Sequence, residues 1–206
     1  MNKLREKFFH PRNPLQSFTL NGTAVGINLL NFWQWSYSNV MYGTIRGDLA
    51  EFIVGSAILS DKSKETDYKI RKDGDVVDFW LDHNFWIEVK SSSYIQSWEH
   101  EKLSKIKFDI RPRQGYDFEN HIPIKETARH AHLYIFALLK HKDSETVDPL
   151  CIDQWSFYVL RTEKINEIFG EKQTATLNQI EEAGAVEVSF DELKYTCHRE
   201  FQKIGS

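Results

Sequence analysis

Hydrophobic residues along this chain follow two spacings, one typical of strands and the other of a helix. Two short runs of aromatic and branched residues, 79–81 and 85–89, flank the polar segment 82–84, a pattern that predicts a β-hairpin. Residues 131–140 and 157–160 are mostly apolar and predict buried strands. In residues 44–59 apolar side chains recur at helical spacing, which predicts a helix; they are Leu49, Phe52, Ile53, Ala57 and Leu59.

Helix-start and helix-stop signals complete the pattern in the second half of the chain. A helix is predicted from Thr162 to Phe169 because Gly170 follows it. Two further helices are predicted at capping boxes, Thr176 with Gln179 and Ser189 with Glu192, and Gly184 would end the first of them. The aromatic cluster at residues 31–35 is expected to pack on the core. This order of elements predicts an α/β fold with a mixed sheet flanked by helices.

Length and composition set broad limits on the class of protein. The 206 residues, 41% of them hydrophobic, are enough for one domain with a proper core. We expect a single domain over 1–206, with residues 1–40 partly an extension and 94–127 an insertion. Cys151 and Cys197 form no metal-binding or disulfide pattern, and no segment resembles a signal peptide or membrane span, so a cytoplasmic protein is expected. The net charge of −4 shows no overall basic character.

The predicted hairpin carries two acids and a lysine that the register would bring together. A three-residue turn at 82–84, with Asn84 in the left-handed conformation, places Asp78 opposite Glu88, roughly 4.5–5.5 Å apart across the strands. Lys90 shares the face of Glu88 because side chains alternate along a strand. A two-residue turn would instead pair Asp78 with Val89 and turn its carboxylate away.

Two carboxylates and an ammonium at one position suit a magnesium-assisted attack on a phosphodiester. Mg²⁺ takes oxygen ligands and usually only one or two carboxylates, here Asp78 and Glu88 with a backbone carbonyl such as that of Val89. Lys90 would stabilise developing charge or orient the attacking water. A salt-bridged, exposed hairpin is the alternative. Strong strand formers on both faces weigh against it, because buried charges need partners or a metal.

The segment resembles the signature of the PD-(D/E)xK nuclease superfamily, whose members have restriction-endonuclease-like folds. The matching residues are Val77-Asp78, with valine in place of the proline, and Glu88-Val89-Lys90. The resemblance implies Mg²⁺ or Mn²⁺ as cofactor and a preceding helix that directs a glutamate to the same site. That glutamate would be Glu51, which lies between Gly47 and Gly55, and it would be a third metal ligand or a base that positions water.

Nucleic acid, DNA in preference to RNA, is the expected partner, and local basic residues follow the hairpin. Candidate contacts with the phosphate backbone are Gln96, Lys102, Lys105, Lys107, Arg111 and Arg113. A solvated charged face is the alternative for this segment. A catalytically inactive protein of the same architecture that binds nucleic acid or protein is the alternative function, and a homodimer is left open. His121, His130 and His132 are expected to be hydrogen-bonded structural residues instead of zinc ligands.

Overall fold

The computed structural model describes residues 11–59, 77–81, 85–117 and 122–204, and for Trp80, Leu81 and Asp117 the backbone alone. The predicted turn at 82–84 and His121 therefore lie outside the described residues. The strands are β1 Ser17–Leu20, β2 Thr23–Asn28, β3 Phe79–Leu81, β4 Phe85–Ser93, β5 Lys107–Asp109, β6 Arg113–Asp117, β7 Ile122–Ala128, β8 Leu133–Leu139, β9 Trp155–Arg161, β10 Thr174–Thr176 and β11 Val186–Val188. The helices are α1 Leu29–Tyr37, α2 Gly43–Leu59, α3 Thr162–Phe169, α4 Leu177–Glu182 and α5 Leu193–Phe201, with 3₁₀ turns at Ile152–Gln154 and Phe190–Glu192.

A five-stranded mixed sheet in the order β11-β9-β8-β4-β3 forms the centre of the fold. Strands β4 and β8 are parallel, and every other neighbouring pair in this sheet is antiparallel. All seven residues of β8 are buried, as expected for a central strand covered on both faces. The predicted α/β fold with a mixed sheet and flanking helices is confirmed.

Helices cover both faces of this sheet and create two hydrophobic clusters. Side chains of α2 and α5 pack on one face against alternate residues of β4, β8 and β9, including Ile87 and Val89. On the other face α3, α4 and β5 pack against the intervening residues, including Tyr134 and Phe136. The helix starts at Thr176 and Ser189 have the predicted capping boxes, and Gly170 and Gly184 follow α3 and α4 with positive φ. Outside the central sheet, β5 pairs with β10, and β6 pairs with β7.

Helix α2 has the predicted position, but its buried face differs from the predicted apolar stripe. Phe52 and Leu59 are 54% and 45% exposed, whereas the buried apolar residues are Ala50, Ile53, Val54, Ala57 and Ile58. The segment is apolar at most positions, so its periodicity does not single out one face. Small residues at the contact allow the helix to lie close to the sheet. At Gly55, an added Cβ would lie 2.7 Å from Cε1 of Phe79 in β3.

The N-terminal elements β1, β2 and α1 contain no buried residue. The prediction that the aromatic cluster at 31–35 packs on the core is therefore wrong. These elements hydrogen-bond to one another, since the N–H groups of Leu29 and Leu30 donate to the carbonyl oxygens of Gln16 and Pro14. Met41, which follows α1, packs against the cluster beneath α2. Across the described ranges, every helix is too short or too polar to cross a membrane.

The close contact of α2 with β3 can be tested with two glycine substitutions in the same helix. We expect Gly55→Ala to be less stable than Gly47→Ala by about 1–3 kcal/mol, because only at Gly55 would the added methyl group overlap the Phe79 ring. Gly47→Ala is the matched control, since nothing lies within 4 Å of the added atom. It should stabilise the protein by up to about 1 kcal/mol through helix propensity. Urea denaturation measures the free energy of unfolding of both variants. Equal stability of the two variants would contradict the close contact between α2 and Phe79.

Candidate active site

The hairpin register agrees with the prediction made from residue types. Phe79 pairs with Ile87, Trp80 with Trp86 and Leu81 with Phe85. The strands are antiparallel, and three residues separate the paired ends Leu81 and Phe85, as the predicted turn length has it. The residue before β3 is Asp78, which lies at a bend after the buried Val77.

Asp78 lies beside the edge of β4, at the point where β3 begins. Its backbone N–H donates to the carbonyl oxygen of Ile87 at 3.1 Å, and its carboxylate Oδ2 accepts the N–H of Val89 at 2.7 Å. Backbone N–H groups of a strand lie near the plane of the sheet, so the carboxylate is directed along the sheet edge. This differs from the simple expectation that Asp78 stands directly over one face, opposite Glu88.

Glu88 and Lys90 lie on the sheet face that is not covered by α2. Ile87 and Val89 pack in the cluster with α2, and alternation along β4 puts Glu88 and Lys90 on the opposite face. Their side chains are only 14% and 19% exposed, and the Lys90 ammonium donates to the Glu88 carboxylate. In the parallel register Glu88 lies beside Tyr134 of β8.

Glu51 approaches Asp78 from the sheet face that α2 covers. It belongs to α2, and its negative charge is close enough to Asp78 to raise the pKa of that carboxyl. Gly55, one turn further along the helix, lets α2 approach β3 closely at Phe79. The edge position of Asp78 is therefore where charges from both faces of the sheet meet.

The environment of Asp78 disfavours its ionised form. Burial, followed by the negative charges of Glu88 and Glu51, raises the pKa of Asp78 to about 8. The Lys90 ammonium and the Val89 hydrogen bond act in the opposite direction. Burial together with the charge of Glu88 also raises the pKa of Tyr134 well above its ordinary value. Tyr134 had no distinguishing signal in the sequence, because it lies within an otherwise apolar run.

The predicted ligands Asp78, Glu88 and Glu51 are near one another, but they do not form a ready-made metal cage. Among the described residues no group of three or more His, Cys, Asp or Glu side chains is arranged to hold a metal ion. Glu88 is engaged by Lys90, and Asp78 by Val89. The donor set still suits Mg²⁺, which usually needs only one or two carboxylates besides water. A divalent cation would also neutralise the excess negative charge around the Asp78 carboxylate.

Gln96, a candidate nucleic-acid contact, has its side-chain amide engaged in hydrogen bonds within the protein. Its amide nitrogen donates to the Ser93 carbonyl at 2.9 Å and to Ser104 Oγ at 3.2 Å. Its amide oxygen accepts from the guanidinium of Arg46 at 3.3 Å. Arg46 is a buried residue of α2 that the sequence pattern did not single out, and burial lowers its pKa. Gln96 thus joins the end of β4 to the start of α2.

The candidate phosphate contacts after β4 divide into two groups. Lys102, Lys105 and Lys107 are exposed. Arg111 and Arg113 both form ion pairs with Asp109, at 3.0 and 2.5 Å. Burial opposes ionisation of Asp109, but these bonds lower its pKa below the ordinary value. The arginines are about half exposed but have a carboxylate partner within the protein.

Two of the three candidate histidines make hydrogen bonds to the backbone. His132 Nδ1 accepts the N–H of Trp86 at 3.1 Å, and burial lowers the pKa of His132. His130 Nε2 lies 2.9 Å from the carbonyl oxygen of Arg113. Both contacts agree with the predicted structural role, and His121 lies outside the described residues.

The raised pKa of Asp78 makes stability depend on pH with a defined sign. The folded protein binds a proton at Asp78 more tightly than the unfolded chain does, so stability falls as the pH rises from about 4 to about 8. We expect Asp78→Asn to retain the bond to Val89 and to remove this loss. At pH 9, with a chelator present, its free energy of unfolding should exceed that of the native chain by at least about 1 kcal/mol.

Asp191→Asn is the control for this experiment, because it removes the same charge at an exposed position. Urea denaturation at a series of pH values gives the comparison. A native chain as stable at pH 9 as at pH 5, or an equal gain from Asp191→Asn, would contradict the half-buried position of Asp78 among negative charges.

Comparison of the chain with protein-family models, with curated proteins and with solved structures found no match. No relative therefore supplies a function for this protein. The geometry and electrostatics around Asp78 are the basis on which one can be inferred.

Proposed function

We propose that this protein is a metal-dependent nuclease with a restriction-endonuclease-like fold that hydrolyses phosphodiester bonds of nucleic acid, DNA in preference to RNA. The observation that carries the proposal is the half-buried carboxylate of Asp78, which accepts the N–H of Val89. Val89 lies between the ion-paired Glu88 and Lys90, and the charge of Glu51 also acts on Asp78. The α/β architecture is compatible with it, since α2 precedes the hairpin and packs against β3, as the resemblance to the PD-(D/E)xK superfamily implies.

Mg²⁺ or Mn²⁺ is the proposed cofactor, held by Asp78 and Glu88 with Glu51 as a further ligand or a base that positions water. When bound, such a cation polarises a phosphate and lowers the pKa of its bound water. The carboxylates supply the negative charge that attracts it, and its positive charge would favour the ionised form of Asp78. The Val89 hydrogen bond holds the Asp78 carboxylate in one orientation while this happens.

Lys90 is the proposed catalytic cation. It is paired with Glu88, which is also a proposed metal ligand. If Glu88 held a metal, the Lys90 ammonium would be available to orient the attacking water or to stabilise charge on the phosphate. Because the side chain is largely buried, its charge acts in a medium of lower dielectric constant than water, where it has a stronger effect.

A second candidate function is a catalytically inactive protein of this architecture that binds nucleic acid or a protein partner. The observation that favours it is the ion pair between Lys90 and Glu88, which satisfies both groups internally. The lack of a ready-made group of three metal ligands among the described side chains points the same way. The two candidates differ in whether a divalent cation binds at Asp78 and Glu88.

Cleavage of plasmid DNA tests the catalytic proposal. With Mg²⁺ or Mn²⁺, we expect the native chain to nick the plasmid. Asp78→Ala and Lys90→Ala should each lower the rate by about 10²-fold or more, as is usual when a catalytic acid, base or charge-stabilising group is removed. Lys164→Ala is the control, because it removes a partly exposed lysine on α3, outside the Asp78 site and the candidate phosphate contacts, and should leave the rate unchanged.

Equal rates for the native chain, Asp78→Ala and Lys90→Ala would exclude this site as the source of cleavage. A parallel assay with single-stranded RNA determines the substrate preference, and faster cleavage of RNA would contradict the preference for DNA.

Metal binding can be measured separately from catalysis by thermal denaturation. A cation that binds only the folded protein raises the melting temperature. We expect Mg²⁺ to do so for the native chain, Glu88→Gln to abolish the increase, and Lys90→Ala to preserve it. Glu163→Gln is the control, because it removes an exposed carboxylate on α3 and should leave the increase intact. An unchanged melting temperature of the native chain would favour the inactive binding protein.

A further inference from the structure

A cavity of about 530 Å³ lies at the end of the central sheet where β4 and β8 finish and β9 begins. Its floor consists of Leu138, Ser156 and Tyr158, which are all buried. These residues share one face of the sheet, because Leu138 pairs with Ser156 and side chains alternate along β9. Since small-molecule sites usually have volumes of about 300–1,000 Å³, the cavity is large enough for a compact organic ligand.

Two lysines lie at the rim of this cavity, on the segment that follows β8. Lys140 and Lys142 are both exposed, and neither forms an ion pair with a residue that the structure describes. The Lys142 ammonium lies over the Tyr94 ring instead, with Nζ 4.6 Å from the ring centre. Ammonium groups without a carboxylate partner are suited to bind phosphate. The rim therefore provides two positive charges for an anionic group.

Carboxylates also line the cavity, so a ligand that is only an anion does not match it. Glu187 belongs to β11, two strands from β8 and thus roughly 10 Å away at the usual strand spacing. Its carboxylate hydrogen-bonds to the Tyr158 hydroxyl and can accept further donors. Asp153, at the rim, is exposed. The complementary ligand therefore carries hydroxyl or amino donors in addition to its anionic group.

Two apolar side chains complete the walls of the cavity. Tyr94, directly after β4, and Leu177, the first residue of α4, are partly buried against the hydrophobic cluster on this face of the sheet. An aromatic ring of this kind is a stacking surface for a flat ring such as a nucleic-acid base. The lining thus combines cationic, acceptor and aromatic groups around one space.

We propose that this cavity binds a mononucleotide. Its phosphate lies near Lys140 and Lys142, and its base packs on Tyr94. The hydroxyl groups of its sugar donate to the Glu187 carboxylate. A nucleotide carries all three chemical features in one compact molecule, whereas a free phosphate or an uncharged nucleoside carries only part of them.

The cavity is separate from the candidate active site. Asp78 contacts Val89 in β4, and Tyr94 lies five residues further along the chain, roughly 16 Å at the rise of an extended strand. None of the candidate metal ligands lines the cavity. The proposal therefore does not depend on nuclease activity.

Isothermal titration calorimetry of the full chain with each of the four ribonucleoside 5′-monophosphates tests the proposal. A chelator is present, so that metal at the Asp78 site takes no part. At least one of the four should bind with a dissociation constant below about 1 mM. Lys140→Ala and Lys142→Ala should each weaken binding at least about tenfold, because each removes a charged contact with the phosphate.

Lys172→Ala is the matched control, because its ammonium also lies over an aromatic ring, that of Phe169 at 5.9 Å, but outside the cavity. It should leave the dissociation constant unchanged. Circular dichroism shows whether each variant is folded. If one of the two rim variants does not fold, the native chain and the other variant still decide the outcome.

Two fragments of the ligand separate the contacts of the phosphate from those of the base. The matching nucleoside lacks the phosphate and ribose 5-phosphate lacks the base, so each should bind at least about tenfold more weakly than the nucleotide. Ribose 5-phosphate or the nucleoside binding as tightly as the nucleotide would overturn the assignment. No binding of any nucleotide would overturn the proposal, and so would binding that Lys140→Ala and Lys142→Ala leave unchanged.

Discussion

The hydrogen bond from the Val89 N–H to the Asp78 carboxylate is the constraint on which the candidate site depends. It occurs where β3 begins, so the side chain acts as an acceptor for β4 beyond the paired residues of β3. Leaving a buried N–H without a partner costs about 1–3 kcal/mol, which explains why some acceptor is present. This cost does not explain why the acceptor is a carboxylate, because an asparagine side chain could accept the same hydrogen bond without repulsion from Glu88 and Glu51. A carboxylate at this position is therefore compatible with the proposed binding of a cation, whose charge would offset that repulsion.

The parts of the fold that arise from local chemistry could be predicted from the sequence. The register of the hairpin follows from strand formers and the length of the turn, and α3 and α4 follow from capping residues and glycines. The parallel pairing of β4 with β8 could not be predicted, because it joins segments about fifty residues apart. The buried face of α2 was predicted wrongly at Phe52 and Leu59 for the same reason, since only contact with the sheet selects one face of a helix that is apolar at most positions.

The grouping of the candidate site residues was predictable, but their geometry was not. Asp78, Glu88 and Lys90 could be identified because their spacing, combined with a three-residue turn, places them near one another. Residue types alone do not indicate that Asp78 bends to the sheet edge, that Lys90 is engaged by Glu88, or that Gln96 is occupied by Arg46. Each of these contacts depends on which side chains lie within hydrogen-bonding distance of one another once the sheet has formed. The edge position matters most, because it allows Glu51 on one face and Glu88 on the other to act on a single carboxylate.

The N-terminal segment shows the opposite relation between sequence and structure. Its turn and helix cap are specified by Asn21, Gly22, Asn28 and Asn31. Its aromatic side chains nevertheless remain exposed, although hydrophobic residues of this kind were predicted to pack on the core. Hydrophobic side chains that remain exposed gain about 25 cal/mol for each Å² removed from water, so this surface favours association. The ordered backbone lowers the entropic cost of binding, because the hairpin and helix are already formed.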